Sequence, residues 1–286
     1  MTVLFRSDSS SFIGHGHIRR DLVLAAQYPK ESVHFACRDL PGNLIEEIPY
    51  TTHILKTEDL NELIDLIKAL HVDLLIIDHY AFTCKEEKAI KEATDVTLLC
   101  FDDTYEKHHC DILLNHNISA NPKRYTNLVP KNCELRCGSR YTLIRDEFKI
   151  EKEKKREKVY DIFVAIGGTD ATNINIPILK TVPQDLKICL ITTSANTSLK
   201  ELENFVKNKP NITLHVNSHK VAKLMNQSKF AIITPSVIVH EVLFMELPFL
   251  AIKIIDNQDD IYEYLKKNNL CVLTIDDLDK IPKYIR

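Results

Sequence analysis

Short apolar segments alternate with amphipathic helical patterns along nearly the whole of this chain. In the first half, strand-like runs are expected at residues 2–6, 33–37, 52–55, 74–77, 96–101, 112–115 and 135–137. Most are continuous rather than alternating, as in parallel strands that helices cover on both faces. A helical pattern such as 58–70 places Leu60, Leu63 and Ile67 on one face. Repeated strand–helix units predict an α/β fold with right-handed crossovers.

A wholly charged segment, residues 151–158, interrupts this alternation. Its acids and bases are interleaved, which is typical of a solvated linker or an exposed helical connector rather than of a nucleic-acid-binding patch. Strand-like runs resume at residues 160–166, 187–192, 212–216, 230–233, 249–252 and 271–273. We therefore predict two parallel-sheet domains, 1–150 and 159–286, with a cleft between them. Open α/β sheets bind ligands at the carboxyl ends of their strands.

Composition narrows the kind of protein that the chain can be. It has 286 residues, of which 44% are hydrophobic, and a formal net charge of −3 without a long basic stripe, so nucleic acid is not an expected partner. The apolar runs are too short to span a bilayer, and the first residues lack a signal-peptide pattern. We therefore expect a cytoplasmic protein with reduced, mostly structural cysteines. Four of the eight fall in apolar runs: Cys37, Cys100, Cys189 and Cys271.

Four of the six glycines occur in two turns, each after the first predicted strand of a domain. Gly14 and Gly16 follow residues 2–6, and Gly167 and Gly168 follow residues 160–166. Glycine lets the backbone approach a ligand closely, and a helix start offers N–H donors to an anion. Neither turn fits the dinucleotide-binding or Walker A pattern. One such glycine turn could be purely structural, but their equivalent positions in both domains favour a ligand site.

His17 lies near the start of the helix expected after the first glycine turn and is the candidate general base. The positive end of a helix disfavours imidazolium, so a neutral ring that can accept a proton is expected there. A capping or solvent-exposed histidine is the alternative interpretation. His15, in the loop before the helix, is the weaker candidate for the general base.

Polar residues also follow two other strands of the first predicted domain. Asp78, His79 and Tyr80 follow residues 74–77, and Asp102 and Asp103 follow residues 96–101. Paired carboxylates can bind a divalent metal or act as acid and base. Adjacent residues of an extended chain point to opposite faces, so Asp102 and Asp103 are not expected to share one ion. A helix cap or a partner for a histidine is the alternative.

In the second predicted domain, Ser236 opens a helix that contains Glu241, and Asn257 lies in a polar loop after a strand. A hydroxyl at a helix start suits a phosphate, and a carboxylate further along can accept both hydroxyls of a ribose. A simple N-cap with an exposed glutamate is an equally good interpretation.

Taken together, these motifs resemble the PseG family, the UDP-sugar hydrolases of bacterial pseudaminic acid biosynthesis. The matching segments are FRSDSS at 5–10, GHGHIRRD at 14–21, IIDHY at 76–80, LIRDEF at 143–148, IGGTD at 166–170 and the helix with Ser236 and Glu241. The resemblance covers nearly the whole chain. It implies a GT-B-like fold, two Rossmann-like domains facing across a cleft, with UDP mainly on the second domain. It also implies that the chain from Ile261 onward can pack back on the first domain.

The resemblance implies a role for each candidate residue. His17 would be the catalytic base; Gly14, Gly16, Tyr80, Asn173 and Asn257 would bind the substrate; Gly167, Gly168, Ser236 and Glu241 would bind UDP. The implied reaction is hydrolysis of UDP-2,4-diacetamido-2,4,6-trideoxy-β-L-altropyranose by C–O cleavage with inversion, in a pathway linked to flagellin glycosylation. We expect no metal or other cofactor and a monomeric protein. A UDP-sugar glycosyltransferase of the same fold and a non-catalytic sugar-nucleotide-binding protein are the alternatives.

Overall fold

Seven strands from the first half of the chain form one parallel sheet in the computed structural model, which describes residues 1–170 and 172–285. The strands are β1 Val3–Ser7, β2 Val33–Arg38, β3 Thr51–Leu55, β4 Leu74–Asp78, β5 Thr97–Phe101, β6 Ile112–Asn115 and β7 Glu134–Cys137. The helices among them are α1 Gly16–Ala25, α2 Leu60–Ala69 and α3 Cys84–Ala93.

The strand order of this sheet is β3-β2-β1-β4-β5-β6-β7, and it reverses direction between β1 and β4. Ligands of open α/β sheets bind at such a switch point, outside the carboxyl ends of the strands. Ser7 at the end of β1 is in register with Asp78 at the end of β4. The loops that follow these two strands therefore leave the sheet side by side.

The side chains of β1 point alternately to the two faces of the sheet, and both faces are buried. The apolar residues of this strand therefore form an uninterrupted run. Phe5 packs in one core with Ile18 of α1, whereas Leu4 belongs to the core on the other face with Leu63 of α2. All four side chains are fully or almost fully buried. Burying each stabilises the fold by about 1.5–3 kcal/mol relative to leaving it exposed.

A second parallel sheet, of six strands, repeats this plan. Its strands are β8 Tyr160–Ala165, β9 Ile188–Thr192, β10 Ile212–Val216, β11 Ser228–Ile233, β12 Phe249–Lys253 and β13 Val272–Thr274. The helices of this half are α4 Asp146–Lys152, α5 Asn175–Thr181, α6 Leu199–Val206, α7 Val221–Asn226, α8 Ile238–Phe244 and α9 Asp259–Lys267. The order β10-β9-β8-β11-β12-β13 reverses between β8 and β11, so this sheet also has a switch point.

The chain divides into two compact units, Met1–Leu143 and Ile144–Arg286. The division falls before the charged run 151–158 rather than within it. Glu151 of that run is buried and accepts a hydrogen bond from Arg156, while the Asn226 side-chain amide donates to the Glu151 carbonyl at 2.8 Å. These bonds attach the charged run to the second unit.

Near the end of the chain, a 3₁₀ segment, Ile275–Lys283, places the buried Ile281 in the core of the same unit.

Every strand expected from the sequence is present, with ends shifted by at most two residues, and the predicted α/β fold class is confirmed. The expectation for Cys271 was wrong, since that thiol is exposed and precedes β13, whereas Cys37, Cys100 and Cys189 are buried. None of the helices in the described part of the chain is long and apolar enough to span a membrane.

Candidate active site

His17 lies at the switch point of the first sheet, on the first turn of α1. Its side chain is only 9% exposed, and its Nε2 atom lies 3.9 Å from Oδ1 of Asp78. The Tyr80 ring meets the imidazole edge-on, with centroids 4.9 Å apart. The Nδ1 atom is buried and has no hydrogen-bond partner in the described structure. The ring is therefore held by packing, with hydrogen-bonding capacity left unused.

His17 is a neutral imidazole at pH 7. Burial lowers its pKa below the ordinary value of 6.5, because a buried cation loses its hydration. The Asp78 carboxylate opposes this effect, and the charges of Arg20 and His79 add to it. Neutral imidazole is the form that can accept a proton. The cause is burial rather than the positive helix end that the sequence analysis invoked, and the role of His17 as a base stays a prediction.

Arg20 is the partner of Asp78, and the sequence reasoning gave it no role. Its Nε and Nη2 atoms donate to the two carboxylate oxygens of Asp78, each at 2.5 Å, and its Nη1 donates to Asp103 at 3.0 Å. Although burial raises the pKa of Asp78, the guanidinium holds it below the usual range. The three-residue spacing between His17 and Arg20, which puts both on one helix face, is a signal that could have found this residue.

Tyr80 adds a hydrogen bond on the solvent side of the Arg20–Asp78–Asp103 contacts. Its hydroxyl donates to Asp103 at 3.0 Å, and 63% of the residue is exposed. Burial and the nearby Asp103 raise the pKa of Tyr80 to about 12, so the phenol stays protonated. Beside Tyr80 and Asp78, a cavity of about 480 Å³ opens at the carboxyl ends of β4 and β5. A ligand in this cavity would contact Tyr80, which in turn touches His17.

Asp102 and Asp103 use separate partners, in agreement with the geometric expectation for adjacent carboxylates. Asp102 is buried and accepts hydrogen bonds from the Tyr125 hydroxyl at 2.7 Å and from the backbone of Thr104 at 3.0 Å. Asp103 instead pairs with Arg20 and Tyr80.

Asp8, in the loop after β1, is the central acceptor of a second buried hydrogen-bond network, which the sequence pattern did not indicate. It accepts hydrogen bonds from Arg6 at 2.6 Å, from His79 at 3.0 Å and from the Arg38 side chain at 2.7 Å. Burial alone would raise the pKa of Asp8, but these donors hold it far below its usual range. His79 is thereby fixed next to Asp78, which makes the network a support for the site.

The glycine turn at the start of α1 leaves open space beside both of its glycines. Gly14 has φ +84°, which L side chains rarely adopt, and apart from adjacent residues and the helix backbone no atom lies within 4 Å of a Cβ built at Gly14 or Gly16. His15 uses its ring differently from His17, since its Nε2 donates to the Gly42 carbonyl at 2.9 Å. Space above both glycines is compatible with close approach of a ligand.

The second sheet places Gly167 and Gly168 after β8, at its own switch point. Gly167 has φ +86° and open space around it, whereas a Cβ on Gly168 would come within 2.9 Å of the Thr193 side chain. The Gly168 carbonyl accepts a hydrogen bond from the Thr193 hydroxyl at 2.9 Å. A side chain at position 167 would therefore strain the backbone, and one at position 168 would press against the Thr193 side chain.

Ser236 and Glu241 follow β11, on the other side of this switch point. Ser236 precedes α8 by two residues, and its hydroxyl lies 3.0 Å from that of Thr234. Glu241 is buried in α8 and accepts a hydrogen bond from Arg145 at 2.8 Å. Burial raises the pKa of Glu241, and Arg145 opposes this. Arg145 belongs to the LIRDEF motif, so two motifs that are 96 positions apart meet in one ion pair.

Asn173 and Asn257, the remaining candidates, lie in loops of the second unit. Asn173 has φ +51°, and its side-chain amide donates to Glu201 at 3.3 Å. Asn257 is exposed in the short 3₁₀ turn Asp256–Gln258. The buried Gln258 fixes that turn by accepting a hydrogen bond from the Ile254 backbone at 2.9 Å. The roles of both asparagines in substrate binding stay predictions.

Among the described residues, one group has the composition of a metal site: Glu87, Cys100 and His108 offer ligand atoms within 4.8 Å of one another. Glu87 and His108 already satisfy each other through a 2.7 Å hydrogen bond. The carboxylates of Glu87 and Asp102, 2.7 Å and 3.8 Å from the two ring nitrogens, outweigh burial and raise the pKa of His108 to about 10. The ring is therefore an imidazolium between two carboxylates, which is a structural ion cluster rather than a ligand set.

Comparison with solved structures defines the fold class. MurG from Acinetobacter baumannii superposes with a TM-score of 0.63 over 99% of this chain and 90% of its own, at 11% identity. The UDP-GlcNAc 2-epimerase from Neisseria meningitidis, solved with UDP-GlcNAc, gives 0.58 over 100% and 93%, also at 11% identity. The chain therefore has the GT-B fold.

Sequence comparison defines the family. No protein-family model matches the chain. It is, however, 49% identical over 267 residues to the UDP-2,4-diacetamido-2,4,6-trideoxy-β-L-altropyranose hydrolase of Campylobacter jejuni, covering 93% of this chain and 97% of that enzyme. This chain belongs to that family of UDP-sugar hydrolases.

Proposed function

We propose that this protein hydrolyses UDP-2,4-diacetamido-2,4,6-trideoxy-β-L-altropyranose to UDP and the free sugar, a step of pseudaminic acid biosynthesis. The 49% identity to the Campylobacter jejuni hydrolase, over almost the full length of both chains, carries this proposal. The GT-B fold alone does not choose between hydrolysis and sugar transfer, because one fold hosts many activities.

His17 supplies the base in this proposal. Water attacks the anomeric carbon as His17 takes one of its protons, and the bond from that carbon to the UDP oxygen breaks with its electron pair on UDP. The base must act on the face opposite the leaving group, so the configuration inverts. A neutral ring with a lowered pKa supports this role, since such a ring can take a proton at pH 7.

In this proposal the first unit binds the sugar, with Tyr80 between His17 and the neighbouring cavity. Gly14 and Gly16 leave room for the sugar beside the turn, and Tyr80 borders the 480 Å³ cavity. That cavity combines aromatic and polar side chains, including Phe82, Thr104 and Lys107. Such a lining suits a deoxysugar that carries both a methyl group and amide substituents.

The second unit binds UDP in this proposal. Gly167 leaves its backbone open next to the switch point between β8 and β11, where the diphosphate is placed with Ser236. Glu241 accepts hydrogen bonds from the ribose hydroxyls, with Arg145 holding its carboxylate in position. Asn173 and Asn257 complete the substrate contacts. A monomeric state and a cytoplasmic location stay predictions, which light scattering and cell fractionation test.

Incubation of the purified protein with the UDP-altropyranose alone tests the function. UDP release is followed by a coupled assay, and the anomer formed first is identified by proton NMR. Hydrolysis without an acceptor, giving the anomer inverted at C1, supports the proposal. Turnover that needs an added acceptor would establish a glycosyltransferase, and binding without turnover would establish a sugar-nucleotide-binding protein.

A further inference from the structure

Arg20 and Asp21 complete the motif that contains His17, yet the hydrolysis mechanism assigns neither of them a task. Both lie on α1, three and four residues after His17, and therefore on the face that carries the base. The Arg20 side chain is 15% exposed, and Asp21 is fully buried. A largely buried guanidinium next to a candidate base needs a physical reason, because burying charge costs free energy unless it is paired.

Arg20 contacts two carboxylates, and its bidentate contact is with Asp78. Two of its nitrogens donate to the two oxygens of Asp78, each at 2.5 Å, and the third donates to Asp103. This bidentate geometry is the strongest form of an arginine–carboxylate pair. Asp78 is also the nearest carboxylate to His17, but at 3.9 Å it is too far for a hydrogen bond.

After burial, which lowers the pKa of His17 most, charges of both signs act on the ring. Asp78 and Asp103 favour the imidazolium, whereas Arg20 and His79 oppose it. Burial and the neighbouring Asp78 raise the pKa of Asp21 well above the ordinary value, which favours the neutral form of this carboxyl. The Tyr80 phenol, packed against the ring, is also neutral at pH 7.

We propose that Arg20 is a positioning residue that keeps His17 neutral by occupying both oxygens of Asp78 and cancelling its charge. This inference rests on the proposed role of His17 as the base. Without Arg20, the Asp78 carboxylate loses both guanidinium hydrogen bonds while it stays close to the ring, and His17 takes up a proton to pair with it. A protonated His17 cannot accept a proton from water.

Titration of His17 by NMR in the folded protein tests this proposal without an activity assay. Its ring signals are assigned by comparison with His17→Phe. In Arg20→Gln we expect the pKa of His17 to rise by about 1–3 units, the usual effect of an unscreened carboxylate at 4–6 Å. In Arg20→Gln/Asp78→Asn, where both charges are gone, the pKa returns close to the wild-type value. In Arg20→Lys, which keeps the positive charge, we expect the pKa of His17 to lie much closer to the wild-type value than in Arg20→Gln.

The hydrolysis assay supplies the second readout. The acid limb of kcat/KM should move up with the pKa of His17 in Arg20→Gln and move back in the double variant. A purely structural role for Arg20 would lower the folded fraction and leave the pKa of folded His17 unchanged, which would overturn the proposal. If Arg20→Gln does not fold, a raised pKa in the double variant or in Arg20→Lys would also overturn it. The NMR titration measures the pKa of His17 without substrate. Absence of hydrolysis would therefore refute the proposed function but not the proposed effect of Arg20 on His17.

Discussion

His17 lies 3.9 Å from Asp78, yet the two side chains do not form a hydrogen-bonded pair, because Asp78 directs both oxygens to Arg20. In a triad of the serine-hydrolase type, a carboxylate accepts a hydrogen bond from the histidine and stabilises its protonated form. Here the carboxylate is neutralised by an arginine instead. This arrangement suits a base that must be unprotonated before each turnover.

The pH dependence of hydrolysis should report the lowered pKa of His17. Folding disfavours the imidazolium, so the neutral base persists below pH 6.5 and is lost only as the pH falls through the lowered value. We therefore expect the acid limb of kcat/KM to have its midpoint below 6.5. The profile is measured by initial rates of UDP release, and a midpoint above 6.5 would contradict this electrostatic account.

Replacing His17 by Phe should lower kcat by about 10²–10⁴-fold, the usual contribution of a general base. The UDP dissociation constant, measured by calorimetry, should stay unchanged because UDP binding is assigned to the second unit. His15→Gln is the matched control, since it alters the neighbouring histidine but retains a donor for the Gly42 carbonyl. Near-normal kcat in His17→Phe would remove His17 from the mechanism.

Glu241→Gln should weaken UDP binding through the ribose. If its carboxylate accepts the ribose hydroxyls, the wild type binds UDP more tightly than 2′-deoxy-UDP, and the variant loses most of this preference. Each charged hydrogen bond of this kind contributes about 1.5–3 kcal/mol. The control is Glu246→Gln, whose exposed carboxylate pairs with Lys152. Equal discrimination in Glu241→Gln and the wild type would refute the assignment.

His108→Gln should destabilise the protein in a pH-dependent way. The pKa of His108 is raised to about 10, so its stabilising contribution is complete below pH 6.5 and is lost as the pH rises towards 10. Removing one partner of a buried ion cluster costs about 3–5 kcal/mol at low pH. Urea unfolding at pH 6 and pH 9.5 measures the difference.

The control for this stability measurement is His71→Asn, at an exposed position with φ +49° that asparagine tolerates well. It should change the free energy of unfolding little at either pH. A stability loss in His108→Gln that grows from pH 6 to pH 9.5 would contradict the charged state of His108.

Hydrolysis should proceed in excess EDTA. Backbone N–H groups and polar side chains can stabilise the departing UDP without a cation. Turnover is compared before and after prolonged chelation, with Mg²⁺ added back as the control. Loss of activity that Mg²⁺ restores would show that the reaction needs a metal.

The sequence predicted the strands well because buried parallel strands are continuous apolar runs, as in β4 and β11. It also predicted which loops follow them, and so placed His17 and Gly167 at carboxyl ends of strands. It did not predict the Arg20–Asp78 or Arg145–Glu241 pairs. Such pairs depend on strand register and on the course of the chain, which local periodicity does not contain.

The central claim is that water, activated by His17, attacks the anomeric carbon of the UDP-sugar. Hydrolysis in H₂¹⁸O, followed by mass spectrometry of both products, tests this directly. We predict that the wild type places ¹⁸O in the sugar and none in UDP, and that His17→Phe forms labelled sugar at a strongly reduced rate. Label in the UDP phosphate, or an unchanged rate in the variant, would contradict the account.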